Sequence, residues 1–185
     1  MMKVLIILAH PNLESSRLNR TLFDKVQSET NITTHDIYQE YPDWKIDISR
    51  EQTLLSQHER IVFQFPLYWY STPPLLKKYV DDVFEYGWAF GEGGWKLKGK
   101  QFMVATTLGV HPDVYRAGGM GQFTLSELLR PLQATAVFCE MLYLPAFAVG
   151  GELSDDALAS QAEAYLEAVK MLRPRGTTLP KELTS

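Results

Sequence analysis

The residues best suited to chemistry fall in three short segments, each directly after a predicted strand. The first segment, residues 9–19, carries hydroxyls, an amide and Arg17, and leads straight into a predicted helix. Free backbone N–H groups and the helix dipole favour an anion there, and a phosphate monoester fits well. A simpler interpretation is that Ser15 and Ser16 only cap the helix. His10, beside a proline, indicates little by itself.

The second segment, residues 65–74, places four aromatic side chains at the end of a buried strand: Phe65, Tyr68, Trp69 and Tyr70. Such rings suit an ordinary exposed turn poorly. They are better explained by packing against a flat apolar ring, while backbone amides bind the polar edge of that ring. The alternative is that they cover the edge of the sheet or an oligomer interface.

The third segment consists of Thr106, Thr107, Leu108 and Gly109, where hydroxyls and backbone can approach the heteroatoms of a ligand. A phosphate site, an aromatic clamp and a permissive turn together predict a pocket for FMN, or for the FMN half of FAD. The hydride chemistry then belongs to the cofactor. No G-x-G-x-x-G motif is present, which disfavours a Rossmann turn, and the lack of a Walker lysine excludes a P-loop.

The elements that position these segments alternate between strands and helices. Strands are predicted over residues 3–9, 32–37, 61–65, 101–107 and 141–149. Helices are predicted over residues 17–28, from Asp47 or Ser49 to 59, 73–86, from Thr124 or Ser126 to 138 with an irregularity at Pro131, and 154–172. This alternation predicts an α/β three-layer fold with a five-stranded parallel sheet in the flavodoxin-like order 2-1-3-4-5. Ligands of such sheets bind beyond the carboxyl ends of the strands, where all three segments lie.

Length and composition restrict the function classes further. The 185 residues fit one domain, predicted over residues 1–173, with a loose tail over 174–185. The net charge of −4 and the absence of a basic block argue against a nucleic-acid partner. The single cysteine, Cys139, excludes an internal disulfide and fits a reducing compartment. No run is long enough for a signal sequence or a membrane span, so a cytoplasmic protein is expected.

Several motifs in order along the chain are similar to those of the NAD(P)H:quinone oxidoreductase family of flavodoxin-like proteins. The chain resembles most the bacterial members that include ancillary oxidoreductases of glutathione-gated potassium efflux systems. The resemblance runs from Val4 to about Leu172, and these motifs carry it: Ala9-His10-Pro11, Tyr38 with Tyr41-Pro42-Asp43, Ile46-Asp47-Ile48, residues 63–67, Trp69-Tyr70-Ser71, residues 74–77 and residues 131–134.

The resemblance implies a role for each matching residue. The positions that hold the flavin phosphate and ribityl chain are matched by His10, Ser16, Leu18 and Asn19. The segment that lines the isoalloxazine is matched by Pro66, Leu67, Tyr68, Trp69 and Tyr70. The turn over the polar edge of the ring is matched by Thr106, Thr107 and Gly109, and Tyr115 matches a tyrosine that hydrogen-bonds this edge.

Two departures from the family pattern concern the ring. Leu108 replaces the first glycine of the usual Thr-Thr-Gly-Gly, which implies a changed ring contact or a narrower acceptor site. Mammalian members use a tyrosine–histidine pair during hydride transfer. In this chain Tyr115 is present, but His111 precedes it and no histidine follows, so His111 is a candidate for the catalytic partner or a plain loop residue.

The resemblance also implies activity and partners. It predicts a flavoprotein, with FMN favoured and FAD as the alternative, that takes hydride from NAD(P)H and reduces quinone-like acceptors by a ping-pong mechanism. It predicts a homodimer with the active site at the interface, in which Trp88, Phe90 and Trp95 become buried. Without a partner these rings would form an exposed apolar patch.

Three other functions compete with this interpretation. A regulatory subunit of a membrane potassium efflux protein is the main alternative; it implies a location at the inner face of the membrane and is compatible with catalysis. A single-electron carrier would be expected to be more acidic than −4. A phosphoacceptor receiver domain needs acidic residues after strand 1 and an aspartate at the end of strand 3, where this chain has His10-Pro11 and Phe65-Pro66.

Overall fold

One sheet of six parallel strands organises the computed structural model, which describes residues 2–171. The strands are β1 (Val4–Leu8), β2 (Ile32–Asp36), β3 (Arg60–Pro66), β4 (Gln101–Leu108), β5 (Leu142–Tyr143) and β6 (Phe147–Gly150). Five of them follow the order β2-β1-β3-β4-β5, and β6 pairs with β4 as well. The predicted strand order is confirmed, whereas the predicted number of strands is one too low.

The additional strand arises because the predicted fifth strand, residues 141–149, is broken. β5 pairs with the beginning of β4, at Gln101 and Phe102, and β6 pairs with the end of β4, from Ala105 to Leu108. Pro145 lies between the two pieces, and proline has a fixed φ and no N–H for the ladder. β5 and β6 are therefore one edge of the sheet in two parts.

Helices cover both faces of the sheet. They are α1 (Arg17–Gln27), α2 (Ile37–Glu40), α3 (Ile48–Ser56), α4 (Pro74–Val83), α5 (Leu125–Leu128), α6 (Arg130–Phe138) and α7 (Asp155–Lys170), with short 3₁₀ helices at Leu13–Ser15 and Pro112–Val114. One core contains the inner residues of α3, α4 and α6, and the other contains those of α1 and α7. Successive residues of β1 alternate between the cores, which explains why the whole strand is apolar. The three-layer prediction is confirmed.

The observed ends of the helices can be compared with the capping residues and boundaries predicted from the sequence. The Asp47 side chain accepts a hydrogen bond from the N–H of Arg50, so Asp47 rather than Ser49 caps α3. The helix predicted to begin at Thr124 or Ser126 starts after Thr124 and is interrupted before Pro131, which divides it into α5 and α6. α4 begins at Pro74 and ends at Val83, three residues short of the prediction. Ser154 caps α7 as predicted, and the predicted tail lies outside the described residues.

The glycine-rich segment, residues 87–100, buries more of its aromatic surface than expected. Trp88 and Phe90 are half-buried and pack against the core beside α4 and α6. The Phe90 ring lies 5.1 Å from that of Phe138 and 5.8 Å from that of Tyr86. The expectation that these rings form an exposed patch without a partner is therefore wrong for Trp88 and Phe90. Tyr86, Phe138 and Trp95 remain exposed.

Candidate functional site

The three candidate segments meet at the carboxyl edge of β1, β3 and β4. The rings of His10 and Tyr68 approach edge to face, with 6.4 Å between their centroids. The N–H of Leu67 donates to the carbonyl of Thr107 at 2.9 Å. The side-chain amide of Asn19 donates to the hydroxyl of Thr107 at 2.6 Å. Each segment thus contacts another, at the switch point where this class of sheet binds ligands.

The first segment caps α1 and leaves two backbone N–H groups of the first turn unpaired within the described residues. The Ser16 side chain accepts a hydrogen bond from the N–H of Asn19, so Ser16 caps α1 as expected, whereas the Ser15 hydroxyl donates to the carbonyl of Asn12 instead. The N–H groups of Arg17 and Leu18, in the same first turn, donate to no residue that the structure describes. Two free donors at the positive end of an eleven-residue helix are suited to an anion. Capping and anion binding are therefore compatible here.

Little formal positive charge accompanies these donors. Burial lowers the pKa of His10, and its Nδ1 accepts a hydrogen bond from the N–H of Asn12 at 3.1 Å. The neutral imidazole therefore carries its hydrogen on Nε2, which is left to donate to a ligand. The Arg17 guanidinium pairs with Asp155 at the start of α7, at 2.7 Å. An anion at this helix start would be held mainly by N–H groups rather than by a cation.

The second segment forms a tight turn that displays its rings. Tyr68 and Ser71 exchange two backbone hydrogen bonds of 3.0 Å, and Trp69 and Tyr70 between them have positive φ angles of 45° and 63°. Side chains larger than glycine rarely adopt this region, at a cost of about 1–3 kcal/mol each. Trp69 is 92% exposed, while Phe65 is fully buried in the core. The aromatic surface offered to a ligand is therefore Tyr68, Trp69 and Tyr70, without Phe65.

The third segment contains an unpaired polar atom. The Oγ1 atom of Thr106 is buried and has no hydrogen-bond partner in the part of the chain that the structure describes. Leu108 is buried with its Cβ against Gly150, where any added Cβ would collide with it. Its carbonyl oxygen lies equally close to that position, so Leu108 packs tightly against Gly150. Gly109 faces open space, with nothing within 4 Å of the position a Cβ would take.

The two candidate catalytic residues lie in the loop that follows. Tyr115 is half-buried, and its carbonyl accepts a hydrogen bond from the N–H of Leu125. His111 is exposed and caps the Pro112–Val114 turn, its Nδ1 accepting from the N–H of Asp113 at 3.3 Å. The hydrogen bonds described for both residues stay within residues 111–125. The structure therefore does not join them to the other three segments by a hydrogen bond.

Two residues with a part in this site were missed by reasoning from the sequence. Gln64, fully buried in β3, donates to the carbonyl of Asn19 at 2.9 Å and accepts from the hydroxyl of Tyr165 at 3.0 Å. The available signal was a glutamine between Phe63 and Phe65 in a strand buried on both faces, a position where a polar side chain needs a buried partner.

These features fit a flavin. A phosphate-bearing chain suits the free N–H groups of Arg17 and Leu18, and an aromatic tricycle suits the turn with Trp69. The unpaired hydroxyl of Thr106 and the open space at Gly109 would suit hydrogen bonding and room at the edge of such a ring. Within residues 2–171, no group of three or more metal-binding side chains occurs. None of the helices in that range combines the length and the apolar character that a membrane span requires.

Comparison with known proteins defines the class. A family model described as having a flavodoxin-like fold matches residues 2–170, and the chain belongs to this family. It is 49% identical to the uncharacterised NAD(P)H oxidoreductase YrkL of Bacillus subtilis, over 91% of this chain and 98% of YrkL. It is 42% identical to the glutathione-regulated potassium-efflux system ancillary protein KefG of an Enterobacter species, over 94% of this chain and 96% of KefG.

Solved structures show the same fold at substantial sequence identity. General stress protein 14 of Treponema denticola, in complex with FMN, is 40% identical with a TM-score of 0.86, covering 90% of this chain and 97% of its own. An NADPH-quinone reductase from P. pentosaceus is 34% identical with a TM-score of 0.86, and the match covers 93% of this chain and 100% of the reductase chain. A chain described as a thermophilic tryptophan halogenase from S. violaceusniger is 48% identical with a TM-score of 0.89, covering 91% and 99%.

Proposed function

We propose that this protein is a flavin-dependent NAD(P)H oxidoreductase that transfers two electrons to quinone-like acceptors. The observation that carries the proposal is the meeting of free helix N–H groups, an exposed aromatic turn and a threonine turn at one edge of the sheet. The oxidoreductase name of YrkL and the quinone-reductase name of the P. pentosaceus protein support the reaction. Nothing in the described site points to a halide or to tryptophan.

Each segment has a role in holding the cofactor, which we take to be FMN, with FAD as the alternative. The N–H groups of Arg17 and Leu18 bind the phosphate. Tyr68, Trp69 and Tyr70 pack against the ring, and Thr106 and Thr107 supply hydrogen bonds at its edge. FMN bound in the related general stress protein 14 supports this choice. The flavin, when bound, supplies the two-electron hydride chemistry.

The chain's own residues then orient the reactants. The exposed aromatic turn leaves one side of the cleft open, so NAD(P)H and the acceptor would use the same space in turn. Tyr115 would donate a hydrogen bond to the polar edge of the ring. His111 is the candidate histidine that would pair with Tyr115 and share its charge during hydride transfer. A shared site predicts ping-pong kinetics, and intersecting lines in initial-rate plots would contradict it.

The first test is the cofactor itself. The purified protein should have a flavin absorbance spectrum, and the released compound should have the mass of FMN. Ser16→Glu places a carboxylate beside the phosphate position and should weaken FMN binding by about 10-fold or more. Ser160→Glu, an exposed position on α7, is the charge-matched control. Equal FMN affinity in the two variants would rule out the phosphate position.

Dimerisation is part of the proposal because exposed rings remain beside the glycine-rich segment. Tyr86 and Phe138 flank Phe90 in a row of three rings, and both outer rings are more than half exposed. Burial of a large apolar side chain contributes roughly 1.5–3 kcal/mol, and a two-fold interface repeats the gain. The sedimentation mass of the purified protein should be that of two chains; the mass of one chain would exclude a stable dimer.

A second function follows from the similarity to KefG, whose name assigns it to a potassium-efflux system. We propose that this chain also binds a membrane efflux protein, compatibly with turnover. The test is co-purification with such a protein encoded by the same organism. Failure to bind, with reductase activity intact, would leave the enzyme function alone.

A further inference from the structure

Four buried polar side chains form a row that begins on α7 and ends at the candidate site. The Tyr165 hydroxyl, on α7, lies 3.0 Å from Oε1 of Gln64, on β3. Nε2 of Gln64 lies 2.9 Å from the carbonyl and 3.3 Å from Oδ1 of Asn19, on α1. Nδ2 of Asn19 lies 2.6 Å from Oγ1 of Thr107, at the end of β4. We call this row the Tyr165–Thr107 relay.

The direction of every hydrogen bond in the relay is determined by one backbone carbonyl. The carbonyl of Asn19 can only accept, so the Gln64 atom facing it is the NH₂ group. Oε1 of Gln64 therefore faces Tyr165, whose hydroxyl donates. Burial strongly raises the pKa of Tyr165, which keeps that hydroxyl protonated. Oδ1 of Asn19 accepts from Gln64, and its NH₂ group donates to Thr107.

The relay therefore ends on a hydroxyl with one hydrogen to give. The Thr107 oxygen accepts from Asn19, and the Thr107 carbonyl is occupied by the N–H of Leu67. Within the described residues nothing accepts the Thr107 hydroxyl hydrogen. Thr107 is only 7% exposed and lies at the carboxyl edge of the sheet, so the natural acceptor is a ligand atom in the cleft.

We propose that the Tyr165–Thr107 relay holds Thr107 as a hydrogen-bond donor to the flavin ring, with Tyr165, Gln64 and Asn19 as positioning residues. The proposal rests on the proposed flavin site. A donor aimed at a ring heteroatom stabilises the extra negative charge of reduced flavin more than it stabilises the oxidised form. The relay would thereby favour binding of reduced over oxidised FMN.

The measurement is the ratio of the dissociation constant for reduced FMN to that for oxidised FMN. Thr107→Val, which keeps the shape and removes the hydroxyl, should weaken binding of reduced FMN about 10-fold more than that of oxidised FMN. Thr107→Ser keeps the hydroxyl and should restore the ratio. A ratio in Thr107→Val equal to wild type would overturn the proposal.

Tyr165→Phe tests the relay at its far end. It removes only the first donor, so it should change the same ratio by roughly 2- to 5-fold, and in combination with Thr107→Val it should add nothing. Tyr79→Phe is the matched control, because it removes an equally buried hydroxyl from a different cluster. Equal ratios in Tyr165→Phe and Tyr79→Phe would reduce the relay to a structural contact.

The outcomes separate the relay from the proposed function. If wild-type protein binds no FMN, the proposed function fails and the relay fails with it. If wild type binds FMN and the ratio is insensitive to Tyr165 and Thr107, only the relay fails. Should Tyr165→Phe not fold, the pair Thr107→Val and Thr107→Ser decides the question.

Discussion

Two buried polar networks lie on opposite faces of the sheet, and one is closed whereas the other is open. In the closed network Glu51 of α3 accepts hydrogen bonds from His35 of β2, from Tyr41 and from Tyr79 of α4. In the open network, the Tyr165–Thr107 relay, the last hydroxyl retains a hydrogen for a ligand. The difference indicates that the Glu51 cluster serves stability, while the relay serves the site.

The Glu51 cluster balances a costly burial with three donors. Burial raises the pKa of Glu51, but hydrogen bonds from His35, Tyr41 and Tyr79 and the attraction of His35 together hold it below the usual value of 4.5. Burial and contact with Glu51 raise the pKa values of Tyr41 and Tyr79, so both remain donors. The carboxylate thus ties together β2, α3 and α4 without reaching the cleft.

The largest expected change in the free energy of unfolding comes from disrupting the closed network. Glu51→Ala leaves three buried donors without an acceptor and should lower the free energy of unfolding by about 3–5 kcal/mol. Glu167→Ala, at an exposed position on α7, should change it by no more than about 0.5 kcal/mol. Chemical denaturation of both variants measures the difference. A small loss in Glu51→Ala would remove the stabilising role assigned to the cluster.

A smaller effect follows from the lowered pKa of Glu51. Because the folded-state pKa lies below that of the unfolded chain, the stabilisation is fully present above the unfolded pKa and is lost as the pH falls through the folded pKa. The advantage of wild type over Glu51→Gln should therefore be constant near neutral pH and shrink in acid. Denaturation curves across this range provide the check, and an advantage that grows in acid would reverse the sign.

The smallest effect concerns the site itself and has the opposite sign. Thr106 buries an unpaired hydroxyl, so Thr106→Val should stabilise the FMN-free protein by about 0.5–1 kcal/mol. Saturation with FMN should cancel this gain if the hydroxyl then bonds the cofactor. Thermal unfolding with and without FMN tests both statements. A loss of stability without FMN would show that the hydroxyl is already satisfied.

Local sequence patterns were enough to predict the α/β layers, the strand order and the candidate segments that follow strands. These features depend on local patterns: an apolar run such as Val4–Leu8 marks a strand covered on both faces, and Ser154 marks a helix start. Local chemistry also indicated the break at Pro131, although not the complete division into two helices.

The contacts between buried polar residues, by contrast, depend on how distant elements pack together. Gln64 and Tyr165 are 101 positions apart and Asn19 and Thr107 are 88 apart, so no local pattern pairs them. Glu51 has the sequence context of any exposed glutamate on a helix, yet it is fully buried once α3 docks beside β2 and α4. The burial of apolar residues can be predicted from the sequence, because any apolar neighbour can cover them. Buried polar groups need one particular partner in one orientation, and long-range docking supplies it.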